Sequence, residues 1–444
     1  MATRAFAAAL LAIAALVAWV TVTVPLAARL LQVSILVSML YVAWMAWRGG
    51  RVMRRALADG RRAAAEPTGT ATGVPRISLI LPARNEASVI ARSVAALAAQ
   101  RYPDPGDDVP AYDVLVIDDG SSDDTAARAA VAATNAAHIR VRRREPGTGP
   151  RTKGAVLAFA MPFVRGDVIG VIDADTHVAP SFLDSAMRAW QRDPGAAALQ
   201  VGRPPSNASA SWLTRAQAVE QLMDLASQCG RWATGGTAEL RGNGMFVRRE
   251  ALDDLGGWNE RALTEDLDLS TRLAAAGRHV TLAPEVAVEE EAVETLSTLW
   301  HQRLRWAEGS LRRLLEHGPG LLAGSLPIGR KADFLAFAVE FIVPPLFVAA
   351  VVASLVTIPL PGPADWTVPL SLLAAYGIGV FLLAVAGLSA TGERGLRLVL
   401  RAGGGALFLS HWLLVVPVAL ARIAFGPERT WFVQTPRFTG ERRS

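Results

Sequence analysis

Val168-Ile169-Gly170-Val171-Ile172-Asp173-Ala174-Asp175 is an apolar run that ends in two carboxylates one residue apart. A short continuous apolar run predicts a buried β-strand, so Asp173 and Asp175 are expected at its carboxyl end. Two carboxylates so placed can hold a divalent ion against a diphosphate, because hard cations such as Mg²⁺ prefer oxygen ligands. On its own, however, an Asp-X-Asp sequence is more often a solvated turn, so the surrounding sequence has to decide.

Strand-like apolar runs alternate with helical patterns before this run. In chain order, the predicted strands are residues 77–81, 114–117, 139–141 and 168–172, and the predicted helices are residues 88–100, 125–134 and 153–163. Such alternation implies parallel strands joined by right-handed crossovers, hence an α/β fold with a doubly wound sheet. Ligands bind such sheets beyond the carboxyl ends of the strands. Asp118-Asp119 and Asp173-Ala174-Asp175 are both expected there.

The composition indicates a membrane protein. Of the 444 residues, 51% are hydrophobic and 19% are charged, which is apolar for a soluble protein of this size. Each of five apolar stretches is close to the roughly 20 residues that cross a bilayer as a helix. These stretches lie at about residues 5–24, 30–47, 334–358, 368–390 and 403–425. The polar block between the second and third stretches is expected to be a water-soluble domain.

A cluster of arginines follows the second apolar stretch and predicts that the soluble domain is cytoplasmic. The cluster consists of Arg48, Arg51, Arg54, Arg55, Arg61 and Arg62. It also accounts for a pI near 9.9 at a net charge of +5. Since anionic lipid headgroups are its nearest partners, no nucleic acid is expected. The single Cys229 excludes an intrachain disulfide, and the six histidines show no spacing for a zinc site.

Three further segments accompany the Asp173 motif, and each also has an ordinary structural explanation. Asp118-Asp119-Gly120-Ser121 has the composition of a turn. Thr264-Glu265-Asp266 opens a helical pattern, where a Thr cap and acidic residues are common. Gln302-Arg303-Leu304-Arg305-Trp306 lies in a basic amphipathic stretch, residues 294–316, that fits the membrane interface.

In this order, the motifs resemble those of membrane-integrated family-2 glycosyltransferases, such as the synthases of cellulose, hyaluronan and poly-N-acetylglucosamine. The resemblance runs from Ile77 to Trp306, with membrane helices on both sides. It implies a Rossmann-like GT-A domain, a nucleotide-sugar donor for which UDP is expected, and Mn²⁺ or Mg²⁺ as cofactor. The expected location is the cell membrane, with several membrane passes and a cytoplasmic catalytic domain.

The resemblance also implies roles for single residues on the donor side. The residues implied to bind the nucleotide are Arg84, Glu86, Asp118, Asp119, Lys153, Asp173 and Arg305. Asp173 and Asp175 are implied to be the metal ligands, and the ion would act as a Lewis acid on the departing nucleoside diphosphate. A lone lysine at a helix start, such as Lys153, can equally be a solvated charge.

On the acceptor side, Asp266 is implied to be the general base of a single inverting displacement, in which the acceptor hydroxyl must lose its proton. No histidine or lysine competes for this task. The residues implied to bind the acceptor are Glu265, Gly242, Asn243, Gln302 and Trp306. The tryptophan would stack on an acceptor sugar, and the glycine would let a sugar approach the backbone.

The tail at residues 431–437 resembles the gating loop of some synthases, in which Thr435 and Arg437 would close over the nucleotide. Three full spans after a cytoplasmic domain would, however, place this basic tail outside the cell. One of the last three apolar stretches is therefore expected not to cross. Residues 334–358, which contain a glutamate and two prolines, are the candidate.

These observations predict six segments and a hexosyl- or N-acetylhexosaminyl-transferase. The segments are N-terminal transmembrane helices (1–50), a basic linker (51–75), the GT-A domain (76–292), interface helices (293–331), C-terminal transmembrane helices (332–425) and a cytoplasmic tail (426–444). The Gln-X-X-Arg-Trp motif favours a growing polysaccharide as acceptor. Because the chain has few helices, a membrane lipid, whether glycerolipid, sphingolipid or carotenoid, is the alternative. A second alternative is an inactive membrane scaffold, against which the intact acidic positions argue.

Overall fold

The computed structural model of the protein describes residues 2–63, 75–102, 111–359 and 366–427. The helices in these ranges are α1 (Ala2–Thr23), α2 (Pro25–Ala63), α3 (Ile90–Ala98), α4 (Thr125–Ala132), α5 (Lys153–Ala160), α6 (Phe182–Gln191), α7 (Trp212–Ala233), α8 (Arg249–Asp254), α9 (Glu265–Ala275), α10 (Leu296–Ala323), α11 (Ile328–Thr357), α12 (Thr367–Ala390), α13 (Gly395–Leu409) and α14 (Trp412–Phe425). The strands are β1 (Ile77–Ala83), β2 (Tyr112–Asp118), β3 (Ile139–Arg143), β4 (Val168–Val171), β5 (Ala198–Gly202), β6 (Met245–Arg248) and β7 (Val280–Ala287).

These elements form two compact units. In the described part of the chain, the sheet unit lies within residues 55–214 and 238–294, and the helical unit lies within residues 2–54, 215–237 and 295–427. The predicted α/β domain with apolar helices on both sides in sequence is therefore confirmed. Of the predicted linker at residues 51–75, residues 64–74 lie outside the described residues, as does the whole tail motif at residues 431–437.

The sheet unit contains a seven-stranded sheet in the order β3-β2-β1-β4-β6-β5-β7. The strands β3, β2, β1 and β4 are parallel, as are β5 and β7. The four strands that the sequence predicted are thus parallel, as expected, whereas β6, which the sequence analysis did not predict, is antiparallel to both β4 and β5. Most of α7, which separates β5 from β6, belongs to the helical unit, so β6 lacks the direct crossover that keeps consecutive strands parallel.

Helices cover both faces of this sheet. Alternate residues of a strand point to opposite faces, and in β1 Leu79 and Leu81 pack with Ile90 of α3 while Ile80 packs with Leu157 of α5. All five side chains are completely buried. Burying each one stabilises the fold by about 1.5–3 kcal/mol. Strands buried on both faces explain why the sequence shows continuous apolar runs instead of alternation.

Gly170 fills a position in β4 where a side chain does not fit. A Cβ atom there would lie 2.5 Å from Leu79 Cδ2 of β1 and 2.8 Å from Phe246 Cε1 of β6. Both distances are far below van der Waals contact. The glycine therefore lets residues of the two neighbouring strands meet over β4, just before the chain reaches Asp173.

Five segments of the described chain are long and apolar enough to cross a membrane, as predicted. They are Thr3–Thr23, Pro25–Arg62, Ile328–Thr357, Thr367–Ala390 and Gly395–Phe425. On α2, the side chains of Leu30, Leu36 and Leu40 are 61%, 61% and 65% exposed. An extended apolar surface of this kind is typical of a membrane contact, so the protein is membrane-associated.

Two of these segments differ from the sequence-based expectation. The helix α2 continues through the arginine cluster to Ala63, so residues 51–63 are helical where a linker was predicted. The candidate for a non-crossing segment, residues 334–358, lies in α11, which is unbroken despite Pro344 and Pro345. The break lies instead at Ser410 and His411, between α13 and α14.

Four helices of the helical unit form two pairs whose members run in the same direction, α1 with α11 and α2 with α12. Along α1, Ala7 packs in a cluster with Phe341 of α11, and Ala18 packs in a cluster with Ala350 of the same helix, so α1 and α11 run in the same direction. The helix α2 likewise runs in the same direction as α12. A Cβ atom at Gly379 would contact Met39, and a Cβ atom at Gly50 would contact Ala386.

The last two helices begin and end at the same end of the helical unit. The start of α1 is fixed to the residue after α14, because Arg4 Nη2 donates to the Gly426 carbonyl across 2.9 Å. The helix α12 ends at this same end of the helical unit, where Arg54 donates to Ser389. The helix α13 begins shortly after it. With 15 and 14 residues, α13 and α14 are each shorter than the roughly 20 residues of a spanning helix.

Candidate active site

The carboxyl ends of β1, β2 and β4 lie side by side, as predicted. Ala83 at the end of β1 is in register with Asp118 at the end of β2, and Ile80 is in register with Val171 at the end of β4. The residues that follow these strands therefore lie at one edge of the sheet unit. Arg84, Glu86, Asp118, Asp119, Asp173 and Asp175 all follow or end these three strands.

The loops after β1 and β2 are joined by hydrogen bonds around Asn85. Its backbone is left-handed, with φ of 51°, a conformation that asparagine tolerates better than most residues. The Asn85 N–H donates to Ser121 Oγ across 2.9 Å, and its side-chain oxygen accepts from the Ser122 N–H across 2.9 Å. The Glu86 N–H donates to Thr125 Oγ1. These bonds hold the two loops as one wall beside the acidic pair.

Asp118 and Asp119 have different surroundings. Asp118 is completely buried, and its Oδ1 accepts from the Ser121 N–H across 3.2 Å, which is the turn role that its sequence also suggested. Asp119 forms ion pairs with Arg84, at 3.4 Å, and with Arg144. The two arginines thus fix the Asp119 carboxylate beside the joined loops. Of the two carboxylates, that of Asp119 is the better placed to accept hydrogen bonds from a ligand.

Arg144 is a site residue that the sequence analysis missed. Its side chain is 6% exposed, and besides Asp119 it donates from Nη2 to the Pro150 carbonyl across 2.8 Å. The signal was present in the basic run Arg142-Arg143-Arg144 at the end of the third predicted strand. A guanidinium in this position offers planar, charged donors, which suit a phosphate.

Asn243 holds the turn that carries the two predicted metal ligands. Its side-chain oxygen accepts from the Asp173 N–H and from Thr176 Oγ1, each across 3.1 Å. Its amide group donates to Glu290 Oε2 across 3.3 Å. Asn243 is 1% exposed, so the geometry gives it a positioning role, whereas the sequence predicted acceptor binding.

Asp173 and Asp175 fit a divalent ion that is completed by a ligand. No group of three or more His, Cys, Asp or Glu side chains suited to a metal occurs within the described ranges. Carboxylate oxygens are, however, the donors that hard cations prefer, and Mg²⁺ usually binds through one or two carboxylates together with substrate phosphates and water. The cation that Asp173 meets in this structure is the Lys153 ammonium group.

Lys153 opens α5 and connects the metal motif to the Thr264-Glu265-Asp266 motif. Its Nζ atom lies 2.6 Å from Asp173 Oδ1 and 3.5 Å from Glu265 Oε1. Burial alone would lower the pKa of Lys153, but the two carboxylates outweigh burial and raise it. The lysine is therefore a charged member of the site and not a solvated surface group.

Glu265 and Asp266 begin α9, as predicted. Burial raises the pKa of Glu265 to about 7, against the charge of Lys153 and with a contribution from Asp266. Burial also raises the pKa of Asp266, although the Leu267 N–H, which donates to Asp266 Oδ1 across 2.8 Å, opposes the rise. Thr264 stands at the N-cap, but its side chain makes no capping hydrogen bond, so the capping explanation for Thr264 is wrong.

Gly242 brings the backbone close to the proposed base. Its φ is +79°, and a Cβ atom there would lie 3.2 Å from Asp266 Oδ2 and 3.7 Å from Lys153 Nζ. A side chain at this position would therefore occupy the space in front of both groups. The predicted approach of a sugar to the backbone at Gly242 stays a prediction.

Glu290 is a second residue that the sequence analysis missed. It accepts from Asn243 and lies 3.6 Å from Arg203. Burial raises the pKa of Glu290, Arg203 lowers it, and Asp175 and Asp173 raise it further. No motif in the sequence marks this glutamate, because its role depends on the pairing of the residues before α10 with the loop after β4, seen in the bridge between His177 and Glu289.

The Gln302–Trp306 motif lies in the helical unit, on α10. Arg303 contacts two other members of the motif: its Nη1 donates to Gln302 Oε1 across 2.7 Å, and its guanidinium lies 4.2 Å from the Trp306 ring centroid. Arg303 also forms a buried ion pair with Glu220 of α7, which accepts from Trp412 Nε1 across 3.0 Å. One face of Trp306 is thus covered by a cation from its own motif.

The structure thus separates the predicted site residues into three groups. The sheet unit contains Arg84, Glu86, Asp118, Asp119, Lys153, Asp173, Asp175, Gly242, Asn243, Glu265 and Asp266. The helical unit contains Gln302, Arg305 and Trp306. Thr435 and Arg437 lie outside the described residues. Within the sheet unit, one edge of the sheet combines Asp118 and Asp119, Lys153, and the Glu265–Asp266 pair, whose pKa values are raised. This arrangement is suited to proton transfer beside a phosphate.

A family model and several known proteins match this chain. The model of the family described as "Glycosyltransferase like family 2" matches residues 75–309. The beta-monoglucosyldiacylglycerol synthase of Synechocystis is 34% identical over 377 residues, which are 83% of this chain and 76% of that protein. The poly-beta-1,6-N-acetyl-D-glucosamine synthase of Staphylococcus aureus is 27% identical over 243 residues, 54% of this chain and 55% of that protein.

One solved structure has the same fold. It is the mannosyltransferase PcManGT from Pyrobaculum calidifontis, in complex with GDP-Man and Mn²⁺. It is similar to 89% of this chain and to the whole of that one, with a TM-score of 0.57 and 18% sequence identity. At this identity, the similarity establishes the fold alone, and the fold is the GT-A fold that the sequence predicted.

Proposed function

Because this chain belongs to glycosyltransferase family 2, we propose that it transfers a hexose from a nucleotide-diphosphate sugar to the hydroxyl group of a membrane glycerolipid. The observation that carries this proposal is the similarity to a synthase of beta-monoglucosyldiacylglycerol over 83% of the chain. UDP-glucose is the proposed donor and a diacylglycerol the proposed acceptor.

The extent of the two similarities favours the lipid over the polysaccharide. The match to the lipid enzyme covers 377 residues, which is more than the family domain at residues 75–309 and therefore includes part of the apolar helices. The match to the polysaccharide enzyme covers 243 residues, which is about the size of that domain. The sequence analysis gave a lipid acceptor as the alternative. The lipid now replaces the polysaccharide as the proposed acceptor.

In the proposed reaction, the side chains of Arg84, Asp119 and Arg144 bind the nucleotide. The positive charge of Lys153 faces the diphosphate. Asp266 removes the proton from the acceptor hydroxyl as the sugar bond forms, because its raised pKa makes it a stronger base than an ordinary aspartate. Asn243 keeps the Asp173 turn in place.

A divalent ion, Mn²⁺ or Mg²⁺, is proposed to be held by Asp173 and Asp175. When bound, it would supply Lewis-acid stabilisation of the departing nucleoside diphosphate. The two carboxylates fit this role only together with the donor, so ion and nucleotide are expected to bind interdependently.

The proposed location is the cell membrane, with the sheet unit in the cytoplasm. The arginine cluster on α2 supports this side. In this arrangement, α1, α2, α11 and α12 cross the membrane, while α13 and α14 enter and return, since both ends of that pair lie at the end of the helical unit where Arg4 meets Gly426. The tail after Gly426 is then cytoplasmic, as its arginines require.

The decisive experiment uses the purified full chain in lipid nanodiscs. It is incubated with UDP-glucose and Mn²⁺ or Mg²⁺, with diacylglycerol in the bilayer or with oligosaccharides added in solution, and the products are identified by mass spectrometry. A single lipid-linked mass that disappears with EDTA is the expected result. A ladder of saccharide masses without lipid would contradict the proposal and restore the polysaccharide reading.

A further inference from the structure

The start of α5, which carries Lys153, is held tightly against the loop before α9. Thr152 caps α5 through its side-chain oxygen, and the same hydroxyl donates to the Glu260 carbonyl across 2.5 Å. A Cβ atom at Gly154 would lie 2.4 Å from the Asn259 carbonyl oxygen, which is far below van der Waals contact. Lys153 lies between these two contacts, so its backbone is fixed and only its side chain can change partner.

The same loop also fixes Glu265 beside Lys153. The Asn259 side chain donates from Nδ2 to Asp268 Oδ1 of α9 across 2.9 Å. A Cβ atom at Gly154 would lie 3.4 Å from the Cβ atom of Glu265, so the first turns of α5 and α9 meet directly. The contact between Lys153 and Glu265 is therefore part of the packing of two helices and does not depend on the metal motif.

The two carboxylates that share Lys153 differ in their access to solvent. The side chain of Asp173 is 35% exposed, that of Lys153 is 17% exposed, and that of Glu265 is 7% exposed. The Lys153 Nζ atom is also closer to Asp173, at 2.6 Å, than to Glu265, at 3.5 Å. A dissolved cation therefore reaches Asp173 first, and there it competes with the ammonium group for the same carboxylate.

We propose that Lys153 makes the site bind a divalent ion together with the nucleotide and reject the free ion, an inference that rests on the proposed function. Two cations beside one carboxylate repel each other, and the repulsion is stronger away from bulk water. A diphosphate brings negative charge that offsets this repulsion. Lys153, which Glu265 retains, then faces the phosphate while Asp173 binds the ion. The selectivity thus comes from repulsion of the free ion as much as from attraction to the complex.

The first test measures Mn²⁺ binding without nucleotide. The purified full chain in phosphatidylcholine nanodiscs is titrated with Mn²⁺, and the unbound ion is followed by electron paramagnetic resonance. Lys153→Met is expected to bind Mn²⁺ about tenfold more tightly than the wild type, or tighter still, since a charge within about 4–6 Å changes the affinity of a carboxylate for a cation by at least this factor. Lys153→Arg keeps the charge and should bind Mn²⁺ as the wild type does. Arg151→Met, which removes the same charge from an exposed neighbour, is the matched control and should also bind as the wild type does.

The second test identifies the carboxylate that gains the ion. Adding Asp173→Asn to Lys153→Met is expected to remove the gain in Mn²⁺ affinity, because the carboxylate that exchanges the ammonium group for the ion is then neutral. Lys153→Gln is also neutral but can still donate a hydrogen bond to either carboxylate, so it should fold and show the same gain. Thermal unfolding of each variant confirms that it is folded.

The third measurement is the coupling between ion and nucleotide. The ratio of the Mn²⁺ affinities with and without UDP should fall in Lys153→Met, and the ratio of the UDP affinities with and without Mn²⁺ must fall by the same factor. Unchanged or weaker nucleotide-free Mn²⁺ binding in folded Lys153→Met and Lys153→Gln would overturn the inference. If these variants gain Mn²⁺ affinity but the wild type forms no lipid product from UDP-glucose, the proposed function is overturned and the selection against the free ion stands.

Discussion

The Lys153 ammonium group donates a hydrogen bond to the Asp173 carboxylate across 2.6 Å, and it lies 3.5 Å from Glu265. One cation thus joins the motif proposed to hold the metal to the motif proposed to hold the base. The two halves of the chemistry are electrostatically coupled even though they are far apart in sequence.

Lys153→Met is expected to weaken UDP binding about tenfold or more, because a charge-assisted contact to the diphosphate and the neutralisation of Asp173 are both lost. Lys153→Arg should retain part of the affinity. Calorimetry of UDP in the presence of Mn²⁺ measures both. Arg151→Met, which removes the same charge from an exposed neighbour, is the control. Normal affinity in Lys153→Met would remove this lysine from the donor site.

Asp175→Asn is expected to abolish turnover and the dependence of UDP binding on Mn²⁺, because one of the two proposed carboxylate ligands becomes neutral. The same titration, run with and without metal, is the measurement. Asp184→Asn is a suitable control, since Asp184 is a buried aspartate of α6 that pairs with Arg188. Metal-dependent binding that survives in Asp175→Asn would contradict the assignment.

Asp266→Asn is expected to reduce kcat by about 10²–10⁴-fold, the usual contribution of a general base. The affinity for UDP should remain close to that of the wild type, because the base acts on the acceptor and not on the nucleotide. Product formation and UDP binding are measured on the same preparation. Full turnover in this variant would assign the proton to another group.

The pH profile should reveal the coupling between Glu265 and Asp266. A base works only when deprotonated, so kcat/KM is expected to fall as the pH drops through the raised pKa of Asp266. Glu265, whose pKa is raised to about 7 in part by Asp266, interacts with Asp266 so that a negative charge on either carboxylate makes the other harder to ionise. Glu265→Gln removes that charge and should move the rising limb to lower pH. A limb that moves to higher pH, or not at all, would refute the coupling.

The Arg303–Glu220 pair should be a structural support for Trp306. Their side chains are 3% and 13% exposed, and removing one partner of a buried pair costs about 3–5 kcal/mol. Glu220→Ala is therefore expected to lower the thermal stability strongly and to raise the KM for the acceptor. The swap Glu220→Arg with Arg303→Glu should recover part of both. Glu316→Ala, at an exposed position of α10, should do neither.

The sequence predicted the fold best where local pattern and topology agree. The order of elements from β1 to β4 could be read from apolar runs, because both faces of these strands are buried. The antiparallel β6 could not, since its direction depends on where the chain returns after α7. The continuation of α2 to Ala63 was missed because a run of arginines resembles a linker, although it can equally form a helical surface.

The site was predictable to a similar degree. Asp118, Asp173 and Asp266 follow recognisable patterns and lie where ligands bind such sheets. Arg144 and Glu290 act through contacts between distant segments, and a single sequence contains no record of those contacts. For Asn243 the acceptor-binding role stays a prediction, and the hydrogen bonds of its amide to the Asp173 turn and to Glu290 could be seen only in the coordinates.

The contact between Arg4 and Gly426 also has a meaning for biogenesis. The helix α1 packs against α14, the last helix in the described part of the chain, with Ala7 in one cluster with Ala419 and Leu420. Contacts of such long sequence separation form late, because the intervening chain must be made and ordered first. The amino-terminal half of α1 therefore lacks its contact with α14 until α14 has been made, so a chain that terminates before α14 leaves an uncovered helix face that quality-control proteases can recognise.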